Sequence, residues 1–487
     1  RFFPGFREEI DAEALAAYVR YSYVPAPLSI YRGVRKLLPG QLLTLKAPFT
    51  EGSETLSLET YWSMEETALA GESNPFTGSE TEAADELERR LTAAIRGQML
   101  ADVPVGTFLS GGIDSSLIVS LMQKQAEKPV RTFTIGFDDP KYDEAQHAKR
   151  IAKHLGTEHT ELYLSESALQ EAIPRMSYFF SEPFGDSSQI PMYFVSRLAR
   201  TKVTVSLSGD AGDELFDGYT TYPKIDGLWK KERLAPLALR SCAGRLAVGL
   251  SEVCGGDLGG CNRLYRSGHA LQARNIRQLH EAVCYRMYAA AERVVPREAI
   301  QACAKEAEDT AYYGTYTGGY AADMTPILRN TRADMRLKDM TGYHPDDILV
   351  KVDRCGMAVS LENRVPMLDK DVVEFAWRLS ASAEYMNGSG HTSKKILRDI
   401  LYRYVPGTLL ERPKKGFSVP LRKWLSEGRT KAWAEELLLH GKLAEEGLFD
   451  GKVVRGLWKR FQEKKENERL LWNLLMAEQW YRDGRTR

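Results

Sequence analysis

The sequence predicts an α/β protein with a doubly wound parallel sheet, a helical insert, a helical C-terminal part and a short β-rich N-terminal segment. The first observation behind this prediction is the alternation of short apolar runs with helical patterns that begins near residue 82. The second is the glycine, serine and aspartate content of the loops that end two of those apolar runs. A chain of 487 residues, 43% of them hydrophobic, is long enough for more than one folded unit.

Charge balance and cysteine content exclude several classes of protein. Lys+Arg and Asp+Glu each number 66, so no overall basic field exists to attract nucleic acid or anionic lipid. The apolar runs are far shorter than the roughly 20 residues of a membrane helix. The six cysteines form no CxxC pair, which favours neither a zinc site nor a redox motif. We therefore expect a cytoplasmic protein that has neither nucleic acid nor a membrane as partner.

Secondary-structure patterns change at a polar linker over residues 67–82. Before it, residues 1–62 are rich in turns and contain alternating stretches such as Gln41–Leu45, which predict β-strands. Just before the first long helix, Ser79 and Glu82 fit a capping box. Beyond the linker, the patterns predict helices at 82–100, from 113, at 144–155 and 190–200, strands at 105–109, 131–137 and 203–207, and a variable helical region at 225–330.

The strongest local motif is the loop Leu109–Ser116, which separates a predicted strand from a predicted helix. Its two glycines let backbone N–H groups turn toward an anion, its serines add hydroxyl donors, and the helix N-terminus adds positive dipole. The loop therefore predicts a phosphate cradle, although it matches neither a Walker A loop nor a dinucleotide fingerprint. The alternative is a plain glycine turn. Asp114 weighs against it, because a carboxylate beside phosphates needs a divalent cation between them.

A second polar loop, Ser208–Leu215, follows the third predicted strand. Asp210, Asp213 and Glu214 are crowded among small residues there, and a magnesium ion bound by carboxylates and substrate phosphates would explain the crowding. On its own, the loop could equally be a solvated acidic turn that caps a helix. Its occurrence together with the phosphate cradle, also at a strand end, favours the magnesium site.

The loop Ser110–Ser115 is similar to the pyrophosphate loop of the ATP pyrophosphatase superfamily, whose members cleave ATP between the α and β phosphates. Further motifs occur in the order seen in glutamine-dependent asparagine synthetases, which the chain resembles over nearly its whole length. These motifs are Thr132–Phe137, Ser181–Phe184 with Asp186–Ser188, Ser208–Glu214, Met357–Pro366 with Leu368–Asp369, and Lys414–Phe417. The resemblance implies an ATP pyrophosphatase-like sheet.

The resemblance also divides the chain into two parts. Residues 1–64 resemble the end of the family's N-terminal glutaminase domain, and residues 65–487 resemble its synthetase domain. Family members begin the glutaminase domain with a nucleophilic cysteine, whereas residue 1 is Arg1 and the first cysteine is Cys242. We therefore expect the glutaminase domain to be largely absent from these 487 residues, together with the glutamine-hydrolysing site.

The reaction implied by the resemblance uses ATP, Mg²⁺, aspartate, and ammonia or glutamine, and it passes through a β-aspartyl-AMP intermediate to asparagine, AMP and pyrophosphate. Charge builds on the leaving pyrophosphate, so positioning and electrostatic stabilisation dominate the chemistry. By resemblance, pyrophosphate is held by Ser110, Gly111, Gly112, Ser115 and Ser116, magnesium by Asp114 and Asp213, adenine by Leu109 and Ile135, and the ribose or α-phosphate by Ser208 and Gly209.

Three further residues receive catalytic roles from the resemblance. Asp210 would position ammonia and the intermediate, Lys414 would reach the polyphosphate, and Arg364 would line the site. For Lys414 the alternative is a solvated surface lysine paired with Lys415. For Ile135, named above for adenine, an ordinary core position is the alternative.

Four other residues bear on the shape of the site. Asp353 and Arg354 lie on a helix that the family uses to line the site, with a solvated surface position as the alternative. Ala211 and Asp217 stand where the family's longer bacterial branch usually has glycine.

Other readings of the motifs remain open. The same adenylation chemistry could act on a peptide or cell-wall carboxylate, or close a β-lactam ring. An RNA-modifying pyrophosphatase would need a basic face and often catalytic cysteines, so the neutral charge and scattered cysteines disfavour it. A catalytically inactive scaffold is disfavoured because the phosphate loop, both metal-binding aspartates and Lys414 occur together. We also expect a homodimer.

Overall fold

A sheet of five parallel strands forms the centre of the molecule in the order β5-β4-β3-β6-β7. The computed structural model describes residues 6–47, 56–137, 144–253, 262–284, 293–301, 324–380, 382–387, 393–410 and 419–485. The strands are β3 Val105–Phe108, β4 Arg131–Phe137, β5 Glu158–Leu164, β6 Val205–Leu207 and β7 Glu362–Arg364, and a separate antiparallel hairpin consists of β1 Gln41–Leu45 and β2 Leu56–Thr60. The predicted fold class is therefore confirmed.

The helices alternate with the strands through the first half of the chain and dominate the second half. Up to residue 284 they are α1 Ala12–Tyr21, α2 Met64–Ser73, α3 Glu80–Met99, α4 Ile113–Gln125, α5 Ala145–Leu155, α6 Glu166–Phe179, α7 Gln189–Arg200, α8 Gly212–Leu215, α9 Thr221–Glu232, α10 Leu237–Glu252, α11 Asn262–Leu271 and α12 Ile276–Cys284. Among the described residues, those of 225–330 are mainly helical, as predicted.

The helices after residue 330 form the C-terminal part. They are α13 Thr331–Thr341, a π-helix His344–Leu349, α14 Val350–Met357, a 3₁₀ turn Pro366–Leu368, α15 Lys370–Leu379, α16 Ala383–Asn387, α17 Lys395–Leu401, a 3₁₀ turn Gly407–Leu409, α18 Leu421–Trp424, α19 Gly428–Leu439, α20 Lys442–Glu445, α21 Gly451–Lys464 and α22 Glu468–Arg485. Within the described ranges, no helix is both long and apolar enough to cross a membrane.

Helices cover both faces of the sheet, which is what the doubly wound prediction requires. One apolar cluster joins the sheet to α3, α4, α15 and α17, with Leu87, Leu117 and Leu397 among its fully buried members. A second cluster packs Phe133 and Ile135 of β4 against α6 and α7. Because both faces are buried, the strands carry apolar runs without the alternation of a half-exposed sheet.

The N-terminal segment contains a helix that the turn-rich sequence did not predict. Asp11 caps α1, since its Oδ1 accepts hydrogen bonds from the backbone N–H groups of Glu13 and Ala14 at 2.9 and 3.0 Å. Leu15 and Tyr18 of α1 pack into one apolar cluster with residues of α19, α21 and α22. The segment predicted as strands and turns is therefore joined to the C-terminal helices by buried apolar contact.

Two strands of the sheet were missed as well. β5 has the burial pattern of an edge strand with exposed and half-buried residues, and β7 consists of the three polar residues Glu362, Asn363 and Arg364. Neither segment shows an apolar run. β5 joins the sheet by backbone hydrogen bonds to β4, and β7 joins it by backbone hydrogen bonds to β6. Such hydrogen bonds do not depend on side-chain polarity.

Candidate active site

The two polar loops predicted to bind phosphate and magnesium meet at the point where the winding of the sheet reverses. From β3 the chain proceeds to β4 and β5 on one side and then returns to β6 on the other side of β3. The loop Leu109–Ser116 follows β3 and the loop Ser208–Leu215 follows β6. Doubly wound sheets bind ligands in the crevice at such a reversal, outside the carboxyl ends of the strands.

The first loop is folded around its own serines. Ser115 Oγ accepts a hydrogen bond from the Ser110 backbone N–H at 3.2 Å and lies 3.0 Å from Ser110 Oγ. Gly111 has a φ of +75°, which an L side chain rarely adopts, and Gly112 is the N-cap of α4. No side chain within the described ranges caps the first turn of α4. The N-terminal N–H groups of a helix favour an anion as ligand.

Glycine lets the second loop press against the first. A Cβ atom on Gly209 would lie 2.7 Å from the Ser115 backbone nitrogen and 2.8 Å from the Asp114 carbonyl carbon, closer than real Cβ atoms come. Ser208 Oγ donates to Asp210 Oδ2 at 2.7 Å, which fixes the orientation of that carboxylate. The close approach brings the acidic loop directly beside the start of α4.

Lys394 connects the two loops through its ammonium group. Its Nζ lies 2.8 Å from Asp213 Oδ1 and also donates a hydrogen bond to Asp114 Oδ2. The side chain is buried, with 4% of the residue exposed. Both carboxylates that the sequence predicts as magnesium ligands therefore converge on one cation, which the sequence did not predict.

The backbone and charge of Lys394 both carry a cost. Its φ of +58° is left-handed, a conformation that costs roughly 1–2 kcal/mol for a residue with a side chain. Burial lowers the pKa of the Lys394 ammonium, but Asp114 and Asp213 outweigh burial and raise the pKa above its ordinary value. The lysine therefore stays charged, and strain of this kind is typical of functional sites.

The carboxylates of Asp114 and Asp213 fit a divalent cation. They already share one positive group, and magnesium in proteins commonly uses one or two carboxylates together with water and substrate phosphate oxygens. Among the residues that the structure describes, no cluster of three or more His, Cys, Asp or Glu side chains could hold a metal.

The two residues predicted to frame adenine lie in different environments. Leu109 is 1% exposed at the end of β3, where its N–H donates to the Phe133 carbonyl oxygen at 2.9 Å. Ile135 is 2% exposed inside β4 and packs with Leu164 and Ile173. Ile135 thus has the surroundings of an ordinary core residue, whereas Leu109 borders the phosphate loop.

Arg364 is turned toward the end of a neighbouring helix. Its guanidinium donates to the carbonyl oxygens of Gln98 and Leu100 at 2.6 and 2.9 Å and pairs with Glu362 at 2.6 Å. The backbone of Arg364, in contrast, contacts the acidic loop, since its carbonyl oxygen accepts a hydrogen bond from the Ser208 N–H at 2.9 Å. The structure does not bring the Arg364 side chain to the two loops.

Three other residues named from the sequence are away from the loops or outside the described ranges. Asp353 and Arg354 are exposed neighbours on α14, with side-chain exposures of 65% and 47%. This is the solvated placement that the sequence left as an alternative. Lys414 lies outside the described residues.

The two residues that replace family glycines both adopt left-handed backbone. Ala211 has a φ of +70° and begins α8, and Asp217 has a φ of +58° shortly after α8. Asp217 is further held by Asn387, whose Nδ2 donates to its Oδ2 at 2.6 Å, and by Arg332. Glycine would adopt these conformations without strain, so the loop keeps its shape at a cost of about 1 kcal/mol at Ala211.

The chain is similar in sequence to a known family and to proteins of two bacteria. The asparagine synthase family matches residues 86–482. Asparagine synthetase [glutamine-hydrolyzing] 1 of Bacillus subtilis (strain 168) is 30% identical over 473 residues, which cover 97% of this chain and 69% of that protein. A putative asparagine synthetase [glutamine-hydrolyzing] of Mycobacterium tuberculosis (strain ATCC 25618 / H37Rv) is 32% identical over 501 residues, covering 98% of this chain and 68% of that protein.

The structure defines an α/β protein with two polar loops at the switch point of its sheet, and the similarities define its family. The chain belongs to the asparagine synthase family. A solved NMN synthetase from Francisella tularensis aligns with 30% of this chain and 60% of its own at 21% identity and a TM-score of 0.22, which carries no argument about function.

Proposed function

We propose that this protein converts aspartate, ATP and ammonia into asparagine, AMP and pyrophosphate through a β-aspartyl-AMP intermediate. The observation that carries the proposal is the convergence of the phosphate loop and the acidic loop at the switch point, with Asp114 and Asp213 on one cation. Membership of the asparagine synthase family supports the same reaction. The two named relatives are themselves asparagine synthetases by name.

In the proposed first step, a side-chain carboxylate oxygen of aspartate attacks the α-phosphorus of ATP and pyrophosphate leaves. The N–H groups at the start of α4, with the hydroxyls of Ser110, Ser115 and Ser116, would bind the leaving pyrophosphate. Ser116 supports this role, because its Oγ is buried and has no hydrogen-bond partner among the described residues. A buried hydroxyl without a partner is costly unless a ligand completes it.

Magnesium, held by Asp114 and Asp213, would supply positive charge to the polyphosphate as the bond to the α-phosphorus breaks. The Lys394 ammonium contacts both carboxylates, so we propose that it fixes their positions before ATP arrives. Lys414 is proposed to reach the polyphosphate as negative charge develops there. Ser208 and Gly209, at the end of β6, would border the ribose or α-phosphate.

In the proposed second step, ammonia attacks the carbonyl carbon of the aspartyl-adenylate, AMP leaves, and the nitrogen loses a proton. Asp210 is the proposed partner of the incoming nitrogen. Its carboxylate is oriented by Ser208 Oγ at 2.7 Å, and Asp210 stands three residues after the end of β6 at Leu207. A carboxylate in this place would attract the positive charge that forms on nitrogen during the attack.

We also propose the domain assignment that the resemblance implies, with residues 1–64 belonging to a glutaminase domain and 65–487 to the synthetase domain. The named relatives are glutamine-hydrolysing, and we propose that glutamine supplies the ammonia in the intact protein. The cytoplasmic location and the homodimeric state remain predictions.

The test is a coupled measurement of pyrophosphate, AMP and asparagine with ATP, Mg²⁺, aspartate and ammonium chloride. We expect the three products in equal amounts, with no asparagine when either aspartate or ammonium is left out. Pyrophosphate release that requires a peptide or another carboxylic acid instead of aspartate would contradict the proposed acceptor. Release of inorganic phosphate and ADP would contradict adenylation.

A further inference from the structure

Helix α10, in the helical region after residue 225, presents an apolar face to solvent. At 3.6 residues per turn, about a third of the circumference of this helix carries no charged side chain. The face consists of Leu239, Cys242, Ala243, Leu246, Gly249, Leu250 and, just beyond the helix, Val253. Its four large residues, Leu239, Leu246, Leu250 and Val253, are 66%, 65%, 56% and 86% exposed. A contiguous exposed apolar face of this kind marks an interaction surface.

The opposite side of α10 is fixed against α11, which holds the apolar face outward. Gly244 and Gly268 let the two helices touch, since a Cβ atom on Gly244 would lie 2.5 Å from the Gly268 carbonyl oxygen. Arg240 is 7% exposed, and its Nη1 donates to the carbonyl oxygens of Leu271 and Ala273 at 3.3 and 3.1 Å. The leucines on the outer side therefore cannot turn inward without breaking these contacts.

The spacing of the apolar positions suits a second helix that runs along α10. Leu239, Leu246 and Val253 are seven residues apart, which is the repeat of a coiled-coil seam. Cys242 and Gly249 stand between them, also seven residues apart, and both are small. The face thus has a row of large side chains beside a row of small ones, and the large side chains of one helix fit between those of a partner.

Two charged residues border the apolar face along one edge. Arg245 and Glu252 are seven residues apart, so they lie on the same side of the helix. Arg245 Nε donates to a backbone carbonyl oxygen one turn earlier at 3.3 Å, and the half-exposed Glu252 has its Oε1 3.5 Å from Arg293 Nη2. The other edge, at Ala243 and Leu250, is apolar. The two edges therefore differ in charge.

This charge pattern selects a second copy of the same helix in antiparallel orientation. Equivalent edges face each other in such a pair, so Arg245 of each copy meets Glu252 of the other, and two-fold symmetry forms the ion pair twice. In the same register, Leu246 packs against Gly249 of the second copy and Val253 packs against Cys242. A parallel pair would instead place the charged edge against the apolar edge.

We propose that α10 is the surface through which two copies of this protein form a two-fold dimer. The helix has 16 residues, and two helices of this length bury less surface than a standard stable interface. The dimer is therefore weak and reversible, with a dissociation constant on the order of 10 μM. The surface does not involve the two polar loops at the switch point, so the inference does not depend on the proposed function.

Sedimentation equilibrium of the 487-residue chain between about 1 and 200 μM measures the association. We expect monomer at the lowest concentration and mainly dimer at the highest. Leu246→Arg puts a charge into the centre of the seam and should weaken the dimer by at least about 100-fold. Because Leu246 is exposed in the single chain, the variant should keep the melting temperature of the monomer. Leu100→Arg is the matched control, since Leu100 is 82% exposed outside α10, and it should dimerise like the wild type.

Charge reversal tests the antiparallel register. Arg245→Glu faces Glu252 of the second copy with a like charge, and Glu252→Arg does the same to Arg245, so each should weaken the dimer by about 10-fold. The two substitutions together restore opposite charges in both pairs. The double variant should therefore dimerise within about threefold of the wild type.

A wild-type chain that stays monomeric over the whole range would overturn the inference, as would a dimer that survives Leu246→Arg. Open-ended assemblies larger than a dimer would contradict the two-fold pairing. A double variant as weak as the single charge reversals would contradict it as well. Binding of monomers to phosphatidylcholine vesicles, abolished by Leu246→Arg, would assign the face to a lipid surface instead.

Discussion

Two groups of one lysine and two aspartates occur in this protein, and they differ in how their charges are paired. In the first, Lys394 contacts both Asp114 and Asp213. In the second, Lys351 contacts Asp186, whereas the Oδ1 of Asp347 is buried without a hydrogen-bond partner among the described residues. The first group is held together by its own cation, whereas the second contains a buried carboxylate oxygen that no described residue contacts by a hydrogen bond.

Because of this difference, removing a charge should change the free energy of unfolding in opposite directions in the two groups. Removing a charge from a satisfied buried pair leaves its partner uncompensated and destabilises the fold. Removing a buried charge that has no partner relieves a desolvation cost and stabilises the fold. The following substitutions test the comparison in order of decreasing expected effect.

Asp114→Ala should have the largest effect. It removes a predicted magnesium ligand and one partner of Lys394, so we expect pyrophosphate release to fall by about 10³-fold. The measurement is the steady-state rate with saturating ATP-Mg and aspartate. Asp102→Ala, an exposed carboxylate before β3, is the control and should keep its rate. Full turnover by Asp114→Ala would show that this carboxylate does not hold the metal.

Lys394→Met should destabilise the fold by about 3 kcal/mol in EDTA, because Asp114 and Asp213 are left without their shared cation. Magnesium should restore part of the melting temperature in this variant, since a divalent cation binding only the folded state stabilises it. Thermal melts with and without magnesium measure both effects. Lys395→Met removes a half-buried lysine that pairs with Glu80 and Asp399, and it should cost less than about 1 kcal/mol. A variant Lys394→Met that melts like the wild type would contradict the comparison.

Asp347→Asn should instead stabilise the substrate-free protein, by about 1–2 kcal/mol at pH 8. The pKa of Asp347 is raised in the folded state by burial and by Asp186 and Asp346, against Lys351. Wild-type stability therefore falls as the pH rises above the ordinary value of 3.8 and through the folded-state pKa, because the unfolded chain ionises first. The advantage of the variant should grow with pH and vanish below about pH 4.

Urea unfolding of wild type and variant between pH 4 and 8 measures this difference, and Asp186→Asn is the matched control. Asp186 is paired with Lys351 at 2.6 Å, so its loss should destabilise the protein at pH 8. If both substitutions destabilise equally, Asp347 has a partner in solution and the two groups do not differ.

Ala211→Gly should give the smallest effect, a stabilisation of about 1 kcal/mol, because Ala211 has a φ of +70°. The acidic loop would keep its shape, so we expect catalytic rates within about twofold. Thermal melting measures the gain, and Ala199→Gly within α7 is the control that should lose about 1 kcal/mol. A loss of stability in Ala211→Gly would mean that the left-handed backbone is absent.

The strand–loop–helix arrangement around Leu109–Ser116 could be predicted from sequence because its signals are local. Glycines, serines and Asp114 lie within a few residues, between an apolar strand and an amphipathic helix, and the matching structure is β3 followed by α4. The same holds for the acidic loop after β6. Here the residue types, their spacing and their place at strand ends all point to one ligand.

Lys394 and Lys351 could not be recognised in the same way. Lys394 stands 280 residues from Asp114 in the sequence. It is followed by Lys395, and two consecutive lysines are typical of a solvated surface. Lys351 lies 165 residues from Asp186. Only the folded chain brings these cations to their carboxylates. The one local signal is Asp186–Ser188, a motif that the family resemblance includes but whose residue types alone indicate no ligand. β7 was missed for a related reason, since its pairing with β6 supplies what its polar residues do not indicate.

The most direct test of the central claim follows an oxygen atom. Aspartate labelled with ¹⁸O in its side-chain carboxylate is incubated with ATP, magnesium and ammonium, and AMP and pyrophosphate are analysed by mass spectrometry. If the carboxylate attacks the α-phosphorus, AMP carries one labelled oxygen and pyrophosphate carries none. Unlabelled AMP, or label in inorganic phosphate released with ADP, would contradict adenylation of aspartate at this site.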